Sequence, residues 1–172
     1  MSSLNSATAQ LADLIPICTR LPLSNVDQLV GATKVLANAD GRMSHREFAL
    51  ALAFGDEHMA GVTEFLVSLD LIEVIGMEVA LTAVGKRIAR AGINMRRRLF
   101  SELALRLPIV RKVVDTLASR PNRSLHRGKL LDDLGASSCA GDAGRLFDHL
   151  VAWGRYAGLF SYEASSGMVS LI

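Results

Sequence analysis

This 172-residue sequence is poor in cysteine, in aromatic residues and in long apolar runs. Its two cysteines, Cys18 and Cys139, are too few for a disulfide framework and fit a reducing cytoplasm. Charged or polar side chains interrupt every apolar stretch before it reaches the roughly 18 residues that a membrane-spanning helix needs. The N-terminal stretch has no basic residue ahead of its apolar part, so a secretion signal is not expected.

The sequence also lacks the motifs of common catalytic and metal sites. Metal-ligand spacing is missing from its four histidines, which are His45, His58, His126 and His149. The Gly-Lys pair in AVGKRI lacks the upstream glycine and the following Ser or Thr of a phosphate-binding loop. These absences predict no catalytic residue, no bound metal and no cofactor, and hence a protein that is not an enzyme.

Charge is distributed very unevenly along the chain. Residues 1–85 contain four Lys/Arg and ten Asp/Glu, residues 86–129 contain thirteen and two, and residues 130–172 contain two and five. The net charge of +2 therefore conceals a basic middle between acidic ends, which bears on binding partners rather than on fold. The candidate partner contacts are the basic residues of GKRIARAGINMRRR, namely Lys86, Arg87, Arg90, Arg96, Arg97 and Arg98.

Apolar periodicity predicts one structural motif in the first part of the chain. Residues Val26 to Ala37 have helical spacing, and the capping-box pattern of Ser44 and Glu47 begins a second helix. Asp56 is placed to cap a third helix. The run LIEVIGMEVAL, residues 71–81, then predicts a β-hairpin.

The same order of elements is predicted again after two basic helices. Thr82 caps the first of these helices and Gly92 ends it. Pro108 suits the first position of the next helix, Ser124 opens a short one, and a longer one starts near Asp142. A second hairpin ends the chain.

These patterns predict a mostly α protein with small β wings, in which tandem winged-helix units are joined by a helical connector. The predicted division of the chain is an N-terminal extension (1–20), winged-helix unit 1 (21–82), a basic helical connector (83–107) and winged-helix unit 2 (108–172).

Sequence-specific DNA binding is not expected from these units. A helix-turn-helix protein places its recognition helix in the major groove, where Arg, Lys, Asn or Gln contact bases and phosphates. The third helix of unit 1 has no Lys or Arg but has Glu57, Glu64 and Asp70, which phosphates would repel. The wing of unit 2 also lacks a basic residue.

Four segments in this order resemble a known family. They are LPLSNVDQLVG (21–31), LTAVGKRIA (81–89), LRLPIVRKVVDTL (105–117) and WGRYAGLFSYEASSG (153–167). Together they resemble the C-terminal AAA-associated domain found behind the ATP-binding subunit of nitrate/sulfonate/taurine/bicarbonate-type ABC importers. The most specific part begins with the structural motif Trp153, Gly154, Arg155 and Tyr156.

The resemblance implies a non-catalytic accessory or regulatory domain that contacts an ABC ATP-binding subunit, in cis or in trans. It implies a cytoplasmic protein that reaches the inner face of the membrane only through this partner, and a homodimer is an additional possibility. We expect Trp153 and Tyr156 to brace unit 2 and Arg96 to Arg98 to face the partner. The alternatives are a winged-helix regulator that binds nucleic acid through the basic connector, and a sensor with a small-molecule pocket between the units.

Overall fold

The structure is a computed structural model that describes residues 26–134 and 143–172, without the side chains of residues 56–58. The predicted N-terminal extension (1–20), the start of unit 1 (21–25), Cys18, Cys139 and Asp142 lie outside the described residues. The predicted division of the chain into four parts stays a prediction.

The described chain consists of two similar halves and two helices between them. The N-terminal half contains α1 (Val26–Asn38), β1 (Arg42–Ser44), α2 (His45–Leu52), α3 (Asp56–Ser68), β2 (Ile72–Ile75) and β3 (Glu78–Leu81). The intervening helices are α4 (Ala83–Arg90) and α5 (Ile93–Ala104). The C-terminal half contains α6 (Pro108–Ala118), β4 (Ser124–His126), α7 (Arg127–Asp133), α8 (Ala143–Ala157), β5 (Phe160–Glu163) and β6 (Met168–Leu171).

Each half has a small antiparallel sheet of three strands. The strand orders are β1-β3-β2 and β4-β6-β5, so the last strand of each half lies in the middle. Met43 is paired with Val79 in the first sheet, and Leu125 with Val169 in the second. The same order of helices and strands therefore occurs twice.

Local sequence signals account for the start of several helices. The hydroxyl of Ser44 accepts a hydrogen bond from the backbone N–H of Glu47, and the Glu47 carboxylate accepts one from the Ser44 N–H. This reciprocal pair satisfies amides that have no partner within the helix. The Ser44 hydroxyl also donates to the Glu47 carboxylate over 2.7 Å, and this bond together with the one from the Ser44 N–H lowers the pKa of the Glu47 carboxyl. Thr82 caps α4 through the Gly85 N–H, and α6 begins at Pro108. These three predictions are confirmed.

Three other predicted boundaries are wrong by one or a few residues. Gly55 rather than Asp56 is the N-cap residue of α3. Gly92 is the N-cap residue of α5, since α4 already ends at Arg90 and Ala91 is its C-cap residue. Ser124 belongs to β4, and α7 is capped by His126, whose Nδ1 accepts from the Gly128 N–H.

One continuous hydrophobic core joins the two halves. Helix α4 packs against α1 of the N-terminal half, whereas α5 packs against α8 of the C-terminal half. The fully buried Trp153 of α8 contacts Phe65 of α3 and Phe100 of α5, with ring centroids 5.0 and 4.8 Å apart. The two intervening helices are thus part of the core and not a linker outside it.

The prediction of tandem winged-helix units with hairpin wings and a helical connector is therefore corrected. The protein is mostly helical, with two three-stranded sheets and one shared core. The predicted hairpins gain a third strand because β1 and β4 pair with β3 and β6. Each of these strands has three residues with a single apolar side chain, Met43 or Leu125, and is too short for an alternating pattern to predict it.

His149 of α8 makes the stability of the fold depend on pH. Burial lowers the pKa of its imidazole, nearby Arg145 lowers it further, and Asp148 raises it in part. In the unfolded chain the pKa is about 6.5, so as the pH falls below this value the unfolded state takes up the proton more readily. The stability that His149 contributes above about pH 6.5 is therefore lost as the pH falls towards the lowered pKa of its imidazole in the folded state.

We expect the free energy of unfolding to fall less between about pH 7.5 and pH 5.5 in His149→Gln than in the unchanged chain. Urea titrations at the two pH values measure this difference. The difference between the two proteins at the higher pH gives the packing effect of the substitution. Subtracting it from the difference at the lower pH leaves the effect of protonation. An equal fall in both proteins would show that His149 does not contribute.

Candidate interaction surfaces

The six basic residues predicted as partner contacts lie at the junction of α4 and α5 but do not form one uniform set. Lys86, Arg87, Arg90, Arg97 and Arg98 are exposed. Within the part of the chain that the structure describes, the ion pairs involve other basic side chains, such as Arg42 with Glu78 and Lys129 with Asp133. These five residues, which we call the basic face, are therefore accessible to a partner.

Arg96 has a different environment from the other five. Its side chain is half-buried, and its guanidinium group donates to the carbonyl oxygens of Ala91 and Ile88 over 2.6 and 3.4 Å. Carbonyls at the C-terminal end of a helix lack donors within the helix, so Arg96 caps α4 and holds it against α5. This contact gives Arg96 a structural task that its sequence position among three arginines does not indicate.

A large apolar recess lies in the N-terminal half, between α2, α3 and the turn that joins β2 to β3. Its volume is about 890 Å³, and its lining includes the exposed side chains of Leu50, Val67, Val74 and Met77. Leu50 is 71% exposed and Met77 is 85% exposed. The buried hydroxyl of Thr63, also in the lining, has no hydrogen-bond partner among the described residues. We call this feature the apolar recess.

The sequence reasoning did not identify this recess. The signal for it was present in the sequence. Phe48 and Leu52 are four residues apart and share a face of α2, whereas Leu50 between them lies on another face, and Met77 occupies a turn where a polar residue is usual. A second recess of about 130 Å³ contains Lys86 and Arg90 together with Asp40. Neither recess lies between the two halves, where a sensor pocket was considered.

The residues of the motif Trp153, Gly154, Arg155 and Tyr156 have structural contacts. Tyr156 is half-buried and its ring lies 5.0 Å from that of Phe100, edge to face. A Cβ atom at Gly154 would overlap the ring of Phe160, so glycine permits the close packing of α8 on β5. Arg155 is exposed and donates to the Tyr162 carbonyl oxygen over 2.8 Å.

Chemical groups suited to metal binding are not brought together in the described residues, where no cluster of three or more His, Cys, Asp or Glu side chains occurs. No described helix is long and apolar enough to cross a membrane. The candidate interaction sites in this part of the chain are therefore its two exposed surfaces, the basic face and the apolar recess.

A protein-family model matches the part of the chain that carries these surfaces. The model of the C-terminal AAA-associated domain matches residues 46–163, well over half of the chain, and this range contains most of the recess lining, the basic face and the Trp153 motif. The chain belongs to the C-terminal AAA-associated domain family. The recognition made from the four sequence segments is thereby confirmed at the level of this domain, and the protein is an accessory domain linked to AAA-type ATPases.

Among curated proteins, none matches this AAA-associated domain. Among solved structures, a crystal structure of CalO1, a methyltransferase in calicheamicin biosynthesis in its SAH-bound form, is similar to it. The two sequences are 20% identical, the match covers 91% of this chain and 45% of that chain, and the TM-score is 0.45. The chain thus spans less than half the length of that methyltransferase.

The expectation that the protein is not an enzyme is withdrawn, because it rested on missing motifs and the absence of a motif does not exclude catalysis. The tandem winged-helix prediction gains no support from the likeness to CalO1. At this TM-score and identity, the likeness assigns to the AAA-associated domain neither the fold of CalO1 nor its reaction.

Proposed function

We propose that this AAA-associated domain binds the ATP-binding subunit of an ABC importer of the nitrate/sulfonate/taurine/bicarbonate type and modulates it through protein–protein contacts. The contact is made in cis, within a longer subunit, or in trans. The domain works on the cytoplasmic side and reaches the inner face of the membrane through this partner. The family supports the association with an ATPase, and the four sequence segments support the ABC type.

The observation that carries the proposal is the exposure of the basic face. Residues 83–98 contain six basic residues and no acidic one, and the five exposed ones lie on two consecutive helices. Acidic surfaces attract such a cluster and accelerate association through steering, so an acidic patch on the ATPase subunit is the complementary site. By contrast, exposed Glu64 of α3 would face the phosphates if the domain bound DNA through this helix.

Replacing Arg97 and Arg98 together by alanine is expected to weaken binding to the ATP-binding subunit about tenfold. Both side chains are exposed, so the melting temperature should not change. Isothermal titration of the purified domain with the ATP-binding subunits of the same genome measures the affinity, and thermal unfolding measures the stability. Binding that is unchanged in the double variant would remove the basic face from the interface.

Two single variants act as controls for this experiment. Lys34→Ala removes an exposed positive charge from α1 and should leave binding intact. Arg96→Ala should instead lower the melting temperature, because it removes the contacts that cap α4. Binding of duplex DNA with a steep dependence on salt concentration would contradict the proposal and favour a nucleic-acid-binding regulator.

A further inference from the structure

The apolar recess has a counterpart in the C-terminal half, because matching backbone hydrogen bonds place the two halves in the same register. The first residue of α2 and the first residue of α7 each donate their N–H group to the turn that precedes the middle strand of their sheet. The turns after α3 and α8 are also closed by equivalent bonds. The four bonds are His45 N–H to the Met77 oxygen, Arg127 N–H to the Gly167 oxygen, Leu71 N–H to the Leu66 oxygen and Leu159 N–H to the Gly154 oxygen. Positions in α2, α3 and β2 therefore have defined equivalents in α7, α8 and β5.

The side chains at the equivalent place in the C-terminal half pack against one another. His45, Met59 and Val74, which all line the recess, are equivalent to Arg127, Phe147 and Tyr162, respectively. The Tyr162 ring packs edge to face on the Phe147 ring with the centroids 4.9 Å apart, and the Arg127 guanidinium carbon lies 4.7 Å from the Phe147 centroid. The N-terminal half has a smaller side chain at each of the three positions. Its recess therefore lies where the other half packs an aromatic ring of its own.

The polar groups of the recess lining suit an acidic group on a ligand. Arg46 follows His45 on α2, is exposed, and forms no ion pair with another described side chain. Glu64 of α3 is the one carboxylate among the described lining residues. The Thr63 hydroxyl in the wall is buried without a partner, although threonine in a helix often donates to a carbonyl three or four residues earlier. Because buried polar groups are normally hydrogen-bonded, this hydroxyl has a bond left to make with a polar ligand.

We propose that the apolar recess binds a small aromatic carboxylate. Its ring packs against Met59 and Val74, in the place that the Tyr162 ring takes in the other half, and its carboxylate group faces Arg46. A guanidinium group suits this task because it can donate two parallel hydrogen bonds to a carboxylate. The volume of about 890 Å³ is within the range of small-molecule sites. The proposal concerns the domain alone and does not depend on an ATPase partner.

The test uses isothermal titration of the purified chain with three probes. These are naphthoate, its uncharged amide naphthamide, and decahydronaphthoate, which keeps the carboxylate and the carbon skeleton but has no aromatic ring. We expect naphthoate to bind with one-to-one stoichiometry and the other two probes to bind about tenfold more weakly. Arg46→Gln should weaken naphthoate binding about tenfold and leave naphthamide binding unchanged, because only the carboxylate uses the charged guanidinium group. Glu64→Gln removes the lining carboxylate and should not weaken naphthoate binding.

A substitution that copies the C-terminal half provides the decisive measurement. Val74→Tyr places in the recess the ring that Tyr162 supplies at the equivalent position, so it should abolish naphthoate binding. Ile75→Tyr is the matched control, because Val74 and Ile75 are neighbours in β2 and both are 48% exposed, but only Val74 lines the recess. Both variants should fold, which thermal unfolding checks, and Ile75→Tyr should bind naphthoate like the unchanged chain. The proposal is overturned if naphthoate does not bind, if naphthamide binds equally well, or if Val74→Tyr retains the affinity of the unchanged chain.

Discussion

Replacing Trp153 by alanine is expected to lower the free energy of unfolding by about 3–5 kcal/mol, the usual cost of removing a large aromatic side chain from a core. Trp153 is completely buried and its ring packs against Phe65 of α3 and Phe100 of α5. The substitution therefore removes contacts that hold α8 to both of these helices. Urea unfolding followed by circular dichroism measures the loss.

A milder variant and a surface variant make this prediction specific. Trp153→Phe keeps an aromatic ring and removes the indole N–H, which has no hydrogen-bond partner among the described residues, so it should cost less than the alanine variant. Met77→Ala changes a side chain that is 85% exposed and should shift the free energy by no more than about 0.5 kcal/mol. Similar losses in the free energy of unfolding for Trp153→Ala and Met77→Ala would contradict the burial and packing of Trp153 that we describe.

Replacing Gly85 by alanine is expected to destabilise the protein by about 3 kcal/mol, although alanine is the better helix former. A Cβ atom at this position would overlap the backbone carbonyl oxygen of Leu71 and also approach the side chain of Leu81. A backbone atom cannot move aside as a side chain can, so α4 would have to shift away from its place beside β3. Thermal and urea unfolding of Gly85→Ala measure the effect.

Gly61→Ala provides the matched control for this substitution. Gly61 lies within α3, is exposed, and has no heavy atom within 4 Å of the position of an added Cβ. At this position only the higher helix propensity of alanine matters, so Gly61→Ala should stabilise the protein by about 0.5–1 kcal/mol. If the two variants changed stability in the same direction, the close approach of α4 to Leu71 would not be real.

Sequence reasoning located most helices because their signals are local. The capping box of Ser44 and Glu47, the cap at Thr82 and the proline at position 108 each act within four residues, and all three were predicted correctly. The strands β1 and β4 were missed because three residues are too few for a periodic pattern. They become strands by pairing with β3 and β6, which lie more than thirty residues later in the chain.

The candidate surfaces were predicted only in part for the same reason. Clustered charge is visible in a sequence, so the basic face could be located, but the hydrogen bonds that occupy Arg96 depend on how α4 meets α5. The apolar recess requires α2, α3 and the β2–β3 turn to come together. Leu50 and Met77 are 27 positions apart, and only the folded chain brings both to one opening.

The position of the one tryptophan has a practical consequence for work in solution. Because no other indole is present, the fluorescence of Trp153 can be excited selectively. Its ring lies among α3, α5 and α8, so its emission reports on the packing between the two halves. A ligand that occupies an outer surface without moving these helices should leave the spectrum unchanged. A red shift of the emission on addition of the ligand would instead mean that solvent has reached the indole and that the packing between the two halves has been disrupted.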